Sequence, residues 1–446
     1  MKKFLILLLF LPGLLLMSCA QTASDPQPET AQTSADAPSA SETEVSIPQE
    51  NAAEEKARAE GKQILTLGVL VQEDNPVIYD AEHLAEQFNR QSDDYWLSVR
   101  AYHNDATLLA DLTTDNAPDL LEMTGVSAPL NGNNFTDMLP LIDADPELDR
   151  EGFTGNLLES LLINDALYML PNTVHISTMV AWADVAGEQP GWTVEEIRGI
   201  RDKLEEGYSI CPTWRTFDNV FYFLCRGALD RFVDYENYIC HFEREEFKEL
   251  LRFCNDLPRT EIAPDGPPDY RREVADIDWI TGPDRIHGIK YARGDNYVYI
   301  GYPCDNGTGS YFAPGMSCGL QLAIPYRAAN AEASFEVIRY ILGREVQTDP
   351  LYSQIPVMAE YLKEDLQKAV GQKVDHGGGI VTEITEEDIR KFRELLDSAT
   401  VYLFNRPVII EIIEEEAKAY FAGSKSVDEV ADVIQNRVQL YLDTNR

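Results

Sequence analysis

Between residues 63 and 123 the apolar positions change period four times. Ile64 to Val71 is an almost unbroken apolar run, the pattern of a strand covered on both faces. Ala81, Leu84, Ala85 and Phe88 then recur at helical spacing, Trp96, Val99 and Tyr102 fall in a second strand, Leu108, Leu109 and Leu112 suit a second helix, and Asp119–Met123 is a third strand. Strand, helix, strand, helix, strand predicts right-handed crossovers and a parallel sheet. Ligands of such sheets bind beyond the carboxyl ends of the strands, here residues 72–76 and 123–127.

The stretch 165–197 carries an apolar run to Pro171, another through Val180, and then Thr193-Val194-Glu195-Glu196. A Thr followed three residues later by Glu is a capping box, in which the two side chains satisfy amide donors left over where a helix begins. Ile197, Ile200 and Leu204 continue at helical spacing, with Gly207 as the stop. This stretch is where the chain leaves one α/β lobe and enters another. Further helices are expected at 217–224, 245–254 and 333–342, strands at 297–303 and 320–324, and two closing helices, the last opened by a second capping box at Ser426 and Glu429.

The first sixty residues break these patterns. Lys2 and Lys3 precede an apolar run from Phe4 to Met17 that is too short to span a bilayer and ends in Leu16-Met17-Ser18-Cys19; this is a secretory signal, residues 1–18. The Leu-x-Ser-Cys ending resembles the bacterial lipobox, which implies lipidation of Cys19 and attachment to the outer face of the cell membrane. Residues 19–62, rich in Ala, Ser, Thr, Pro, Gln and Glu, have too little apolar surface to fold and are expected to be a disordered linker.

Composition narrows the function. The 446 residues hold 76 Asp plus Glu against 37 Lys plus Arg, a net charge of −39. So acidic a surface repels phosphate backbones and anionic headgroups, which excludes nucleic-acid partners. Beyond Cys19, six cysteines remain, at 211, 225, 240, 254, 304 and 318. They permit three disulfides of unknown connectivity or, equally, buried free thiols. No C-x-x-C pair, no H-E-x-x-H and no phosphate-binding glycine loop occurs, so neither enzyme, metal nor cofactor is expected. The acidic run Asp143–Asp149 lacks the glycine and closing Glu of a calcium loop and reads as solvated helix caps.

Several segments together resemble the family 1 extracellular solute-binding proteins, the lipoproteins that capture substrates, typically sugars, for ABC importers. They are Cys19 in its lipobox, Asp119-Leu-Leu-Glu122, Leu167-Tyr-Met-Leu-Pro171, Gly191-Trp-Thr-Val-Glu-Glu196, Phe232-Val-Asp through Phe242, Gly301-Tyr-Pro303 with the glycines after it, and Ala323-Ile324. The chain departs from the family at a polar, glycine-rich insertion, 371–379, and at the polar segment 125–134. The resemblance implies a two-lobe, periplasmic-binding-protein-like α/β fold of type II, each lobe a mostly parallel sheet flanked by helices, with the ligand cleft between them. Lobe one would be 63–171 plus 318–349, and lobe two 172–317 plus 350–446. A monomer is expected, partnered by importer membrane subunits and a small sugar or oligosaccharide. Competing readings are a surface lipoprotein binding a macromolecule or another small polar solute, and a carbohydrate-active enzyme.

Sugar sites set flat aromatic rings against pyranose faces and let polar side chains bond the hydroxyls. On that logic the candidate ligand residues are Asp74 and Asn75 past the first strand, Trp214 and Phe217 where a loop enters a helix, Trp279, and Tyr302 and Tyr311 around the glycine-rich turn. Trp182 and Trp192 are read as structural. Tyr168 to Asn172 are placed at the back of the cleft.

Overall fold

The computed structural model describes residues 52–71, 77–187, 191–204, 208–211, 216–235, 237–257, 273–303, 309–316, 319–352, 354–404 and 407–444. The signal sequence and Cys19 lie outside them.

The described chain opens earlier than expected. Ala52–Ala59, inside the segment taken for disordered linker, is a helix with Ala57 buried. Alanine-rich sequence has high helix propensity, and the charges fall at i,i+4, giving Arg58–Glu54 at 3.0 Å and Lys56–Glu60 at 3.6 Å. Glu54 also accepts a 2.8 Å hydrogen bond from Ser98 Oγ, which ties the helix to the first sheet.

That sheet begins as anticipated. β1 (Gln63–Leu70) leads through helix Val77–Gln91 to β2 (Tyr95–Tyr102), then through helix Asp105–Leu112 to β3 (Leu120–Glu122). β1 pairs in parallel with both, and Ala81, Leu84, Ala85 and Phe88 are the buried face of the first helix. β4 (Leu170–Pro171) is followed at once by β5 (Thr173–Ala181), which is buried at every position. Later strands are β6 (Val233–Asp234), β7 (Ile239–Cys240), β8 (Ala275–Ile280), β9 (Val298–Tyr299), β10 (Tyr311–Pro314), β11 (Gln321–Ala323), β12 (Ile355–Pro356), β13 (Lys373–Asp375) and β14 (Val381–Glu383). The first sheet has the order β2-β1-β3-β11-β4, and β5 is the hub of the second, pairing with β8, β9, β10 and β12. All four of those pairings are antiparallel, where the sequence suggested a mostly parallel second sheet. A strand buried on both faces reads as one apolar run whichever way its neighbours point, so direction was not legible there.

The second sheet divides two apolar clusters. Side chains alternate along a strand: Val174, Ile176, Ile280 and Phe312 face the cluster that also fills the first sheet. Met179, Ala181, Ile277, Tyr311 and Ala313 face a second cluster with helices Phe217–Phe232, Glu245–Asn255 and the two closing helices. Cys225, Cys240 and Cys254 are free, buried thiols in that second cluster. Burial pushes all three thiols up, Cys240 to about 12, and Cys304 and Cys318 lie outside the described residues.

The chain passes between the sheets at three places: from β4 to β5, from β10 to β11, and from helix Ala331–Leu342 to β12. The first two run side by side, with Asn172 N–H donating to Leu320 O at 3.0 Å and Leu320 N–H donating to Asn172 Oδ1 at 2.8 Å.

The local signals hold. Thr193 and Glu196 form the capping box of helix Val194–Arg201, which ends before the expected Gly207. Ser426 and Glu429 exchange the same pair of hydrogen bonds at 2.8 and 3.2 Å ahead of helix Val427–Thr444. In the acidic run, Asp143 is gripped by two nitrogens of Arg150, both at 2.6 Å, and Asp145 takes Arg339 Nε at 2.7 Å. The insertion is a small hairpin, β13 and β14.

Candidate functional site

β5 carries four polar side chains, Thr173, His175, Ser177 and Thr178, and alternation puts His175 and Ser177 on one face. Opposite them in the ladders stand Ala313, partner of His175, and Trp279, partner of Ser177. With Tyr302, Pro314 and Leu403 these residues line a cavity of about 180 Å³. Among the described residues that line it there is no lysine, arginine, aspartate or glutamate.

The polar groups of this cavity are oriented by hydrogen bonds. His175 Nδ1 lies 2.8 Å from Pro314 O; a carbonyl only accepts, so Nδ1 carries a proton. Ser177 Oγ and the Tyr302 hydroxyl are 2.8 Å apart. Tyr302 is 1% exposed, and its ring is backed by Tyr311, with centroids 5.8 Å apart and planes tilted by 31°. Its main chain is pinned by Tyr302 N–H to Gly309 O at 2.8 Å. Gly309 sits at φ +59°, and a Cβ there would lie 2.0 Å from Tyr302 O, so glycine is required for the close approach.

Of the candidate ligand residues, Trp279 and Tyr302 meet in this cavity and Tyr311 stands directly behind. Phe217 is not among its lining residues; the ring lies edge-on to Phe421 at 4.9 Å. Asp74, Asn75 and Trp214 lie outside the described residues. His175, Ser177 and Leu403 were missed, although polar residues at i and i+2 of a buried strand were a visible signal for the first two. Trp192 donates its indole N–H to Gly301 O at 2.8 Å and Trp182 lies under the Arg293 guanidinium at 4.7 Å, both buried, as structural roles require.

Two further features lie outside this lining. A second, smaller cavity of about 70 Å³ sets Asn131, Asn164 and Tyr168 against Tyr235, Tyr238 and Tyr441, joining residues that precede β4 to residues of the second cluster. At the carboxyl end of β3, Glu122 is 0% exposed. It accepts from Thr124 N–H at 2.9 Å, Thr124 Oγ1 at 2.7 Å and Gln321 N–H at 3.3 Å. Desolvation outweighs these bonds and raises its carboxyl to about 7. Gln321 Oε1 in turn accepts from the Tyr402 hydroxyl at 3.2 Å, one residue before Leu403 of the cavity wall.

The described lining offers indole and phenol rings as flat apolar surface and an imidazole and hydroxyls as polar groups. Among the described residues no group of three or more His, Cys, Asp and Glu is arranged to hold a metal, and no helix is long and apolar enough to cross a membrane.

The fold has solved counterparts. It matches the solute-binding protein of an ABC transporter from Thermotoga lettingae, bound with α-D-tagatose, at TM-score 0.51 and 16% identity, covering 85% of this chain and 100% of that one. An ABC substrate-binding protein from Listeria monocytogenes in complex with cycloalternan matches at TM-score 0.51 and 13% identity, over 86% of this chain and 99% of that one. The sugar-binding protein MalE from Xanthomonas citri matches at TM-score 0.53 and 15% identity, over 86% and 98%. At such identities the likeness shows the fold, the two-lobe periplasmic-binding-protein type. No protein-family model matches the chain, and no curated protein matches it in sequence.

Proposed function

We propose that this chain is a solute-binding lipoprotein that captures a sugar or oligosaccharide and delivers it to an ABC importer, without catalysing a reaction. The observation that carries the reading is the cavity on the second sheet, where Trp279 and Tyr302 supply ring surface beside the polar groups of His175 and Ser177. Its described lining, ring surface beside an imidazole and hydroxyl groups with no charged side chain, suits a neutral polyol. The fold supports the same reading, since the structures it matches include proteins solved with tagatose and with cycloalternan.

Ligand capture would couple to movement of two lobes, 63–171 plus 318–349 against 172–317 plus 350–446, about the three crossings. Cys19 would carry the lipid, holding a monomer at the extracellular face of the membrane beside the importer's membrane subunits. The test is calorimetric titration of the mature chain against a panel of mono- and oligosaccharides. Saturable one-to-one binding that raises the melting temperature supports capture. Turnover of the bound glycan, or silence across the panel, sinks the proposal.

A further inference from the structure

The hairpin β13–β14 is thinly held by packing. No residue from 371 to 383 is fully buried, its turn is three consecutive glycines at positive φ, and Val374 meets the first cluster only as a partly buried side chain. What ties it down is a closed chain of hydrogen bonds. Asp388 Oδ2 lies 2.8 Å from His287 Nδ1, His287 Nε2 lies 2.5 Å from Thr382 Oγ1, and the same oxygen lies 2.6 Å from His376 Nε2. His287 belongs to helix Pro283–Arg293 and Asp388 to helix Glu386–Ser398, so the chain joins the hairpin to both. The imidazole centroids are 5.7 Å apart, and Tyr291 stacks on the His376 ring at 3.8 Å.

We infer that this chain is a pH-sensitive clasp, which fastens the hairpin while at most one of the two imidazoles is charged and releases it when acid charges both. The argument is a count of protons. Against desolvation, hydrogen bonds from Thr385 and His287 hold the Asp388 carboxyl below its usual value, so it only accepts and His287 Nδ1 carries a proton. With both rings neutral, the Thr382 hydroxyl donates to His287 Nε2 and accepts from His376 Nε2. One added proton is absorbed without loss: His376 takes it at Nδ1, or His287 takes it at Nε2, the hydroxyl turns, and His376 keeps its own proton on Nδ1 and accepts at Nε2. A second proton makes both Nε2 atoms donors to one oxygen, leaves the hydroxyl proton without an acceptor in the chain, and sets two positive rings side by side.

The charges that face the chain are Asp375 beside His376, Asp388 behind His287, and Lys290, 4.0 Å from Asp388 and 3.9 Å from Asp295. Tyr297 feels the Asp388 charge from the other side. Of these side-chain types only imidazole has its ordinary titration between about pH 5 and 8. Burial first, and the His287 ring second, lower the His376 value from 6.5 against the pull of Asp375. The released hairpin therefore takes up the proton more readily than the fastened one, and fastening, complete above 6.5, is lost as pH falls below it.

The experiment is hydrogen–deuterium exchange of the mature chain, read by mass spectrometry at about pH 7.5 and about pH 5, with labelling times scaled to the intrinsic exchange rate at each pH. Protection of segment 371–384 should fall about tenfold or more at the lower pH, while that of helix Ala331–Leu342 holds. Glu122 tightens the fold as pH falls through about 7, so a loss confined to the hairpin is not its effect. Thr382→Val removes the shared oxygen and should leave the hairpin unprotected at both pH values. His376→Gln keeps an amide donor that acid cannot charge, and its hairpin should exchange alike at both. Circular dichroism checks that each variant folds. His103→Gln, at an exposed histidine elsewhere, should keep the wild-type loss. Wild-type protection that does not change with pH, wild-type protection in Thr382→Val, or the full acid loss persisting in His376→Gln overturns the clasp.

Discussion

The side-chain amide of Gln347 donates to the main-chain carbonyl of Asn172 at 2.7 Å. The same nitrogen donates to Ile341 O at 2.7 Å, and the oxygen accepts from Val357 N–H at 2.8 Å. One buried amide therefore joins the first crossing between the sheets, the helix before the third crossing, and the strand after it. Gln347→Glu replaces a double donor by a carboxylate facing two buried carbonyls, and each buried acceptor left unsatisfied costs about 1–3 kcal/mol. The expected loss is roughly 2–5 kcal/mol, read from the denaturant midpoint. A change under about 0.5 kcal/mol would mean that the crossings do not depend on this amide.

Trp279→Ala should reduce ligand affinity at least tenfold and lower the melting temperature less than loss of a fully buried ring would, because the ring is only partly buried, lining the cavity with one part while another packs on the second cluster. Affinity retained in a strongly destabilised variant would make the ring a core residue and remove it from the site.

Gly309→Ala tests the cavity wall through the backbone. The new Cβ meets Tyr302 main-chain atoms at 2.0 and 2.7 Å, at a φ of +59°. Such strain costs on the order of 1–3 kcal/mol, and Tyr302 must shift to relieve it. Thermal unfolding and ligand titration should both worsen; normal affinity with normal stability would show that the turn relaxes without moving Tyr302.

Glu122 sets a pH dependence with a definite sign. Its folded carboxyl is raised, chiefly by desolvation, from 4.5 to about 7. The folded state therefore holds a proton that the unfolded chain has released, and this stabilisation is complete below the unfolded value and lost as pH rises through about 7. The shift corresponds to roughly 3 kcal/mol. Glu122→Gln should flatten the fall in stability between pH 5 and 8, as measured by chemical denaturation at each pH. A wild-type curve that rises over that interval, with the variant unchanged, would reverse the assignment.

Much of the fold was legible because the signals were local. The 81–88 helix face, the capping boxes at Thr193 and Ser426, and the β1–β3 alternation each depend on residues within one turn or one strand. What escaped was either too weak or too distant. The helix Ala52–Ala59 was hidden by polar composition, since its stability comes from alanine propensity, side-chain ion pairs and one bond to Ser98. The antiparallel direction of the second sheet depends on partners up to 183 residues away, such as Pro356 opposite Thr173. At the site, Trp279 and Tyr302 were visible as aromatics beside turns. Leu403, an ordinary apolar residue brought in beside Phe312 through Leu403 N–H to Phe312 O at 2.7 Å, had nothing in its own neighbourhood to announce it.

The docked helix Ala52–Ala59 also decides where a leash would pull. β2 is the outermost strand of the first sheet, and Ser98, which holds Glu54, belongs to it. Any tension from an anchor upstream would enter the fold at β1, which follows the helix directly, and at that outer strand, on the side of the sheet away from the crossings. The first sheet would be the moored half. The half bearing Trp279 and Tyr302 would be the one left to swing.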